Sequence, residues 1–427
     1  MSEAGTRGVF VRMFGSAIAM QALLSATNFL VGLVLIRHVS NTEYGYFILI
    51  TNAALLISGL QNAFIQPPMI LRMTRSSESE CADIVGGLFR GQRRILGLLA
   101  AAALSILTLL WLADIIDNQQ GLLGIATIAV LATALYREFF RMVLLAYRRS
   151  HDVLKADAGY VVVVLIGIPL ATLTKAPAAA AVIALSLAAI VGGYFLTRSL
   201  ARYAAWNPDG PSSMLREMAP LGTWSALGSG THWAFSQGYN YVVAGSLDVS
   251  AVAALAATRL LMMPVNLLSS GISSLMMPTS TAWLNTHGAA KLFRRLILIA
   301  SALGALALCY FVTIWFLRGF IFTNVMHKQF AQSDILVATW SAVFLVMLFR
   351  DQLQFLPGAS GLYRPLMAVT GTSAIISLST GYEAIRHFGV VGAPFGVLLG
   401  ELCNVAGIIY LSMRKIRTQR SNFSSVQ

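Results

Sequence analysis

Arg137, Glu138 and Arg141 stand inside an apolar run, "ALYREFFRMVLLAYRRS", residues 134–150. Arg137, Arg141 and Arg148 share one face of a helix, at successive steps of four and seven residues. A guanidinium carries its N–H donors in a planar fork that matches phosphate and carboxylate oxygens, so the chemistry on offer is anion binding. A charge at mid-bilayer depth costs at least about 2.5–3.5 kcal/mol, which excludes placing these groups against lipid without compensation. A helix running from near Gly121 to near Arg148 sets Arg141 about 10 Å and Arg137 about 16 Å above its inner end. The arginines then face an aqueous cavity or a partner; alternatively the span ends at Tyr136 and the following residues lie along the interface. Glu138 can pair with Arg141 at i,i+3, but one carboxylate cannot neutralise both cations.

Further charges recur downstream. Arg259 interrupts "AVAALAATRLLMMPVNLL" with no acid within a helical turn, about 13 Å from the outer end. It is either a cavity-facing site or a packed or snorkelled structural arginine. Pro264, just beyond it, predicts a kink and a plausible hinge. Arg350 and Asp351 lie side by side in "MLFRDQLQFLPG", where they either satisfy each other or serve cargo and ion. Glu401 and Asn404, at i,i+3 in "LLGELCNVAG", make Glu401 the best isolated acid for a coupling proton or sodium ion; Glu138 and Asp351 are the other ion-coupling candidates. The competing reading of Glu401 is a neutral, hydrogen-bonded acid. Because fixed arginines outnumber acids at depth, an anionic substrate is expected.

The elements that must hold these residues are membrane helices. The 427 residues are 57% hydrophobic and 11% charged, and the mean hydropathy is +0.72, far from the roughly 25% charged fraction of soluble domains. Twelve apolar runs of spanning length fall at about 14–36, 45–71, 95–116, 121–147, 158–175, 177–199, 221–246, 250–283, 293–317, 333–356, 362–382 and 388–413. The expected fold is an all-α integral membrane protein of twelve transmembrane helices. The 30 basic against 17 acidic residues do not signal nucleic acid: cations such as Arg7, Arg12, Arg72, Arg75, Arg90, Arg93, Arg94, Arg216, Lys415 and Arg420 concentrate on alternate loops, which places both termini in the cytoplasm.

"YAAWNPDGPSS", 203–213, is rich in turn formers and helix breakers. It divides the chain into an N-terminal six-helix bundle at 1–202, a cytoplasmic linker at 203–220 and a C-terminal six-helix bundle with a short basic tail at 221–427. A weak repeat supports the division, since "TNFLVG" at 27–32 resembles "YNYVVAG" at 239–245, and "FIQPPM" at 64–69 matches "SLMMPTS" at 274–280 in position. Halves that each begin in the cytoplasm with an even number of spans are expected to be related by pseudo-twofold symmetry along the membrane normal. The first span of each half carries a polar stripe: Gln21, Ser25 and Asn28 in one, Ser225, Ser229, His232, Ser236 and Asn240 in the other. Lipid offers such groups no partners, so the stripes are either helix–helix glue or the wall of a wet cavity. Trp233 and Tyr239 beside them would suit sugar rings.

The three cysteines lack metal or disulfide spacing, no phosphate-binding G-x-x-x-x-G-K-[ST] loop occurs, and the largest outer loop, about 317–333, offers only Arg318, His327 and Lys328. Neither catalysis nor a cofactor is expected.

At 29–50, "FLVGLVLIRHVSNTEYGYFILI" has an apolar first span, Arg37, a short turn ending in Glu43-Tyr44-Gly45, then the second span. This resembles the N-terminal signature of the polysaccharide-transporter family, the Wzx-type flippases of the multidrug/oligosaccharidyl-lipid/polysaccharide superfamily. The closing span, "GVVGAPFGVLLGELCNVAGIIYLSMRK" at 389–415, resembles the family's last helix. The resemblance implies a bacterial inner-membrane flippase for an undecaprenyl-diphosphate-linked oligosaccharide, working by alternating access on an ion gradient. A polysaccharide polymerase and chain-length machinery are candidate partners. Arg137, Arg141, Arg259 and Arg350 would meet diphosphate or acidic sugars, and Gln21, Asn28, Trp233, Tyr239 and Asn240 would line the path. The alternatives are a cation-coupled multidrug exporter of the same superfamily, or a membrane glycan polymerase or ligase.

Overall fold

The structure, a computed structural model, describes the backbone of residues 3–203, 206–207, 210–211 and 213–424, and the side chains of these apart from 3–19, 274–275 and 420–424. Arg7, Arg12, Pro208, Asp209 and Arg420, read above for topology or turn formation, lie outside the described side chains. Among the described residues there are helices and turns and no strand.

The helices run α1 Glu3–His38, α2 Asn41–Met73, α3 Glu78–Leu112, α4 Asn118–Ala146, α5 Ser150–Ala171, α6 Pro177–Tyr203, α7 Met214–Gln237, α8 Tyr239–Ser246, α9 Val249–Leu260, α10 Met263–Phe320, α11 Ser333–Leu353, α12 Phe355–Ala359, α13 Tyr363–Phe388 and α14 Gly392–Ser424. Their starts follow from local chemistry. Ser77 and Glu80, and then Asp117 and Gln120, form reciprocal capping boxes before α3 and α4, each satisfying two backbone donors that the first helical turn leaves open. Asp248 caps α9 by accepting from the Ala251 N–H at 2.7 Å.

Among the described residues nine helical segments are long and apolar enough to cross a membrane, ten with one bent pair. The difference from twelve has identifiable causes. Tyr363–Gln419 counts as one segment, although Gly389, at φ 62°, and a short 3₁₀ turn break it into α13 and α14. The seventh run, α7 plus α8, is broken at Gly238 and diluted by its polar stripe. The eighth is the bent pair, Val249–Leu260 with Met263–Ser273, at 57°. Pro264 sits in the first turn after that bend, where its missing N–H costs nothing. α10 is itself two helices, parted at Gly288 with φ 78°. The chain is an all-α integral membrane protein.

It divides into two compact units, Met1–Gly230 and Thr231–Gln427. In the first, Phe139, Phe140, Val143 and Leu144 of α4 are wholly buried among Leu88, Val153 and Leu196. α4 thus continues through "REFFRMVLLA" as a packed core helix and does not peel off at Tyr136. The described part of 203–213 is docked: Trp206 meets the rings of Phe89 and Phe140 at 5.2 and 5.6 Å, and the Asn207 side chain donates to Asp83 at 3.0 Å. Gly86 and Gly87 of α3 leave room for this strap, because a Cβ on either would run into the Asn207 or Pro211 backbone.

In the second unit α13 and α14 approach through Gly392, Gly396 and Gly400, spaced four apart. A Cβ on Gly400 would lie 2.9 Å from the Ser373 carbonyl oxygen, so the helices touch along a row of small residues, the packing that apolar solvent favours.

Candidate functional site

Each unit carries buried charge, and the two differ. In the first, the guanidinium of Arg137 donates to Asp157 and, at 3.2 Å, to Glu138. Arg141 donates to the other Asp157 oxygen at 3.3 Å and lies 3.5 Å from Glu138. The Arg137 guanidinium also covers the Tyr160 ring at 4.1 Å, and Gly192 of α6 makes space for it, since a Cβ there would sit 3.1 Å from its Nε. Two cations therefore meet two carboxylates in a closed, charge-neutral quartet on α4 and α5. The arginines, expected to face an aqueous cavity or a partner because Glu138 cannot neutralise both, meet a partner in the protein: Asp157, fully buried, supplies the second carboxylate. Sequence reading missed it because "LKADAG" lies just before the apolar run at 158, whereas α5 already starts at Ser150. Gln21 and Asn28 of α1 are exposed on the surface of this unit and are not packed there as glue.

In the second unit, Arg350 of α11 donates to Asp351 at 2.8 Å and to Glu401 of α14 at 2.5 Å. Ser269 donates to Asp351 at 2.9 Å. Glu401 is thus not the isolated acid it seemed, and Arg350 is not balanced by Asp351 alone. With both acids ionised, the triad bears one negative charge in excess. Glu401 Oε2 and Asn404 Oδ1, one helical turn away, are buried and accept no hydrogen bond among the described residues; such buried acceptors are costly to leave unmade.

Arg259, in the last turn of α9, is different again. Its Nη1 donates to Gln237 Oε1 at 2.6 Å and to the Tyr239 hydroxyl at 3.0 Å. The guanidinium carbon lies 5.8 and 5.7 Å from the Tyr239 and Trp340 ring centroids, and those rings pack 5.4 Å apart. Asn240, buried, donates to the Gln237 main-chain carbonyl at 3.1 Å and to its side-chain oxygen at 3.4 Å, which orients the amide. Trp233 instead packs against Tyr241, with ring centroids 5.5 Å apart and the planes tilted by 52°. Among the described residues no carboxylate pairs with Arg259, and its Nε and Nη2 donate to no protein acceptor. The break after Gln237 and the bend after Leu260 bring these residues together. Gln237 and Trp340 were not singled out in the sequence: one looks like an ordinary helix-end amide, the other like an apolar span residue.

The arrangement offers two ion-pair clusters, one with two acids for two arginines and one with two acids for a single arginine, and a partly satisfied cation lined by aromatic rings. His232, Arg350 and Asp351 lie in the same unit.

No protein-family model matches the chain, and no curated protein matches it in sequence. Solved structures do match in fold. An inward-facing multidrug resistance MATE family transporter of the MOP superfamily aligns with TM-score 0.72 and 13% identity, over 92% of this chain and 95% of that one. The lipid II flippase MurJ in an inward closed conformation aligns with TM-score 0.74 and 11% identity, over 93% and 87%. A MOP superfamily transporter from Pyrococcus furiosus, described as having a binding pocket of reverse polarity, aligns with TM-score 0.65 and 13% identity, over 95% of each chain. With helices, breaks and buried charges in place, the likeness over nearly the whole length shows that this chain has the fold of the MOP superfamily transporters, MATE and MurJ among them.

Proposed function

We propose that the protein is a flippase that carries an undecaprenyl-diphosphate-linked oligosaccharide across the bacterial inner membrane, by alternating access between two six-helix bundles, for surface or exopolysaccharide synthesis. One observation carries the reading: among the described residues, Arg259 keeps donors that no protein acceptor uses and no carboxylate neutralises, beside two aromatic rings. A guanidinium held in that state favours a phosphate oxygen or an acidic sugar, and the rings favour a sugar face. The fold shared with MATE transporters and with the lipid II flippase MurJ supports a transporter. Arg137 and Arg141 are reassigned in this reading from cargo contact to internal pairing, because their charge is already met. Arg350, held by two acids, belongs with Asp351 and Glu401 to a coupling site for a proton or sodium ion. A cation-coupled drug exporter is the reading that the extra carboxylate of that triad favours; an unneutralised arginine in the same unit opposes a cationic cargo.

The test is export in a strain whose own gene is deleted. The deletion is expected to accumulate a lipid-linked oligosaccharide on the inner leaflet. Arg259→Lys should restore part of the export and Arg259→Glu none, at equal protein levels. Full export by the glutamate variant overturns the assignment.

A further inference from the structure

A second basic site lies apart from those charges, wholly within the first unit. A cavity of ≈ 860 Å³ is lined by Arg90, Arg93, Arg94 and Arg216 together with Phe64 and Leu215. It is built by two rows. Arg90, Arg93 and Arg94 stand at i, i+3 and i+4 on α3, one face of the helix. The first turn of α7 closes on α3 at Gly91, where any Cβ would strike the Leu215 side chain, and this brings Arg216 opposite the arginine row.

Three described acids of these segments are already engaged. Glu217 accepts from Arg72 at 2.6 Å, Asp83 accepts from Asn207 at 3.0 Å, and Glu80 closes the α3 capping box. Among the described residues no carboxylate pairs with Arg93, Arg94 or Arg216. The pocket wall is apolar at Phe64 and Leu215. Ile95, which also lines it, is exposed and continues into the exposed Leu98 and Leu99 on α3. An arginine-lined hollow opening onto an apolar helix face suits a ligand with phosphate at one end and acyl chain at the other, and basic pockets between membrane helices take such headgroups.

We propose that this cavity binds an anionic phospholipid carrying two phosphodiesters, with its headgroup among Arg93, Arg94 and Arg216 and a chain along Ile95, Leu98 and Leu99. Two phosphates match the charge better than one, which would leave two of Arg93, Arg94 and Arg216 unanswered. The proposal is independent of the cargo.

The test uses the purified, delipidated full-length chain in native mass spectrometry. A tetra-acyl lipid with two phosphodiesters is compared with phosphatidylglycerol at equal phosphate. The doubly charged lipid is expected to be retained at about tenfold lower concentration. That preference should vanish in Arg93→Gln/Arg94→Gln/Arg216→Gln and persist in Arg75→Gln, an exposed arginine outside the cavity. Ile95→Trp, which crowds the entrance without changing charge, should also weaken retention, and it decides the matter where the triple variant fails to elute as a single species. Equal retention of the two lipids overturns the proposal, as does wild-type retention by Ile95→Trp together with a well-folded triple variant. Displacement by inorganic diphosphate at the same concentration as lipid, or tighter binding of a polyprenyl diphosphate, overturns it in favour of a phosphate site or a cargo site.

Discussion

Asp157→Asn removes a carboxylate that two arginines share. Asp157 is fully buried and Arg137 nearly so, so the variant leaves two guanidiniums facing only Glu138. Breaking a buried pair by removing one partner costs about 3–5 kcal/mol. Spread over a cooperative unit of this size, that corresponds to roughly 6–20 °C in midpoint temperature. The assay is thermal unfolding of purified protein, read by the loss of the monodisperse elution peak. The reasoning also predicts a rescue. Arg137→Met with Asp157→Leu removes one charge of each sign and leaves Arg141 with Glu138, 3.5 Å apart; replacing a buried pair by apolar groups of similar volume is often neutral. The double variant should recover most of the loss. A single variant less than about 3 °C below wild type, or a double variant worse than the single one, refutes the closed quartet.

Glu401→Gln keeps an oxygen for Arg350 to donate to but removes one of the two charges around it. Gradient-driven transport into proteoliposomes should slow by roughly tenfold or more while thermal stability holds, and an unchanged rate rejects a coupling role. Outside the membrane-spanning segments, the hydrogen bond from Arg72, then that from Ser213, holds the Glu217 carboxyl below its ordinary range. Its contribution to seating α7 is therefore complete at neutral pH and is lost only as pH falls through that lowered value. Protease protection of 203–213 should stay flat from pH 8 to 5 and drop only in stronger acid. A change across neutrality, or no effect of Arg72→Gln on the acid limb, contradicts this.

Much of the scaffold was legible because membrane helices are written locally. Apolar runs give their course, and Ser77, Asp117 and Asp248 mark their starts through side chains that reach only three residues ahead. The kink near Pro264 was readable for the same reason, whereas the break at Gly238 lies inside what reads as one span at 221–246. Charge pairing was not. Arg137 meets Asp157 twenty residues later and Arg350 meets Glu401 on another helix, so each acid or arginine, read along the chain, looks more solitary than it is. Arg259 stands out in sequence and structure alike: no acid lies within a helical turn of it along the chain, and among the described residues no carboxylate pairs with it. Its companions Gln237 and Trp340 stayed hidden: an amide acceptor and an aromatic wall have no signature until the bend between α9 and α10 sets them beside the cation.

Glu43 receives the Ala178 N–H at 2.7 Å on one oxygen and the Gln119 side chain at 3.1 Å on the other. The first turns of α2, α4 and α6 thereby share a single knot. Loops at this end cannot drift independently, and a graft that imports one of them from another protein would have to bring all three strands of the knot, or leave a helix start untied.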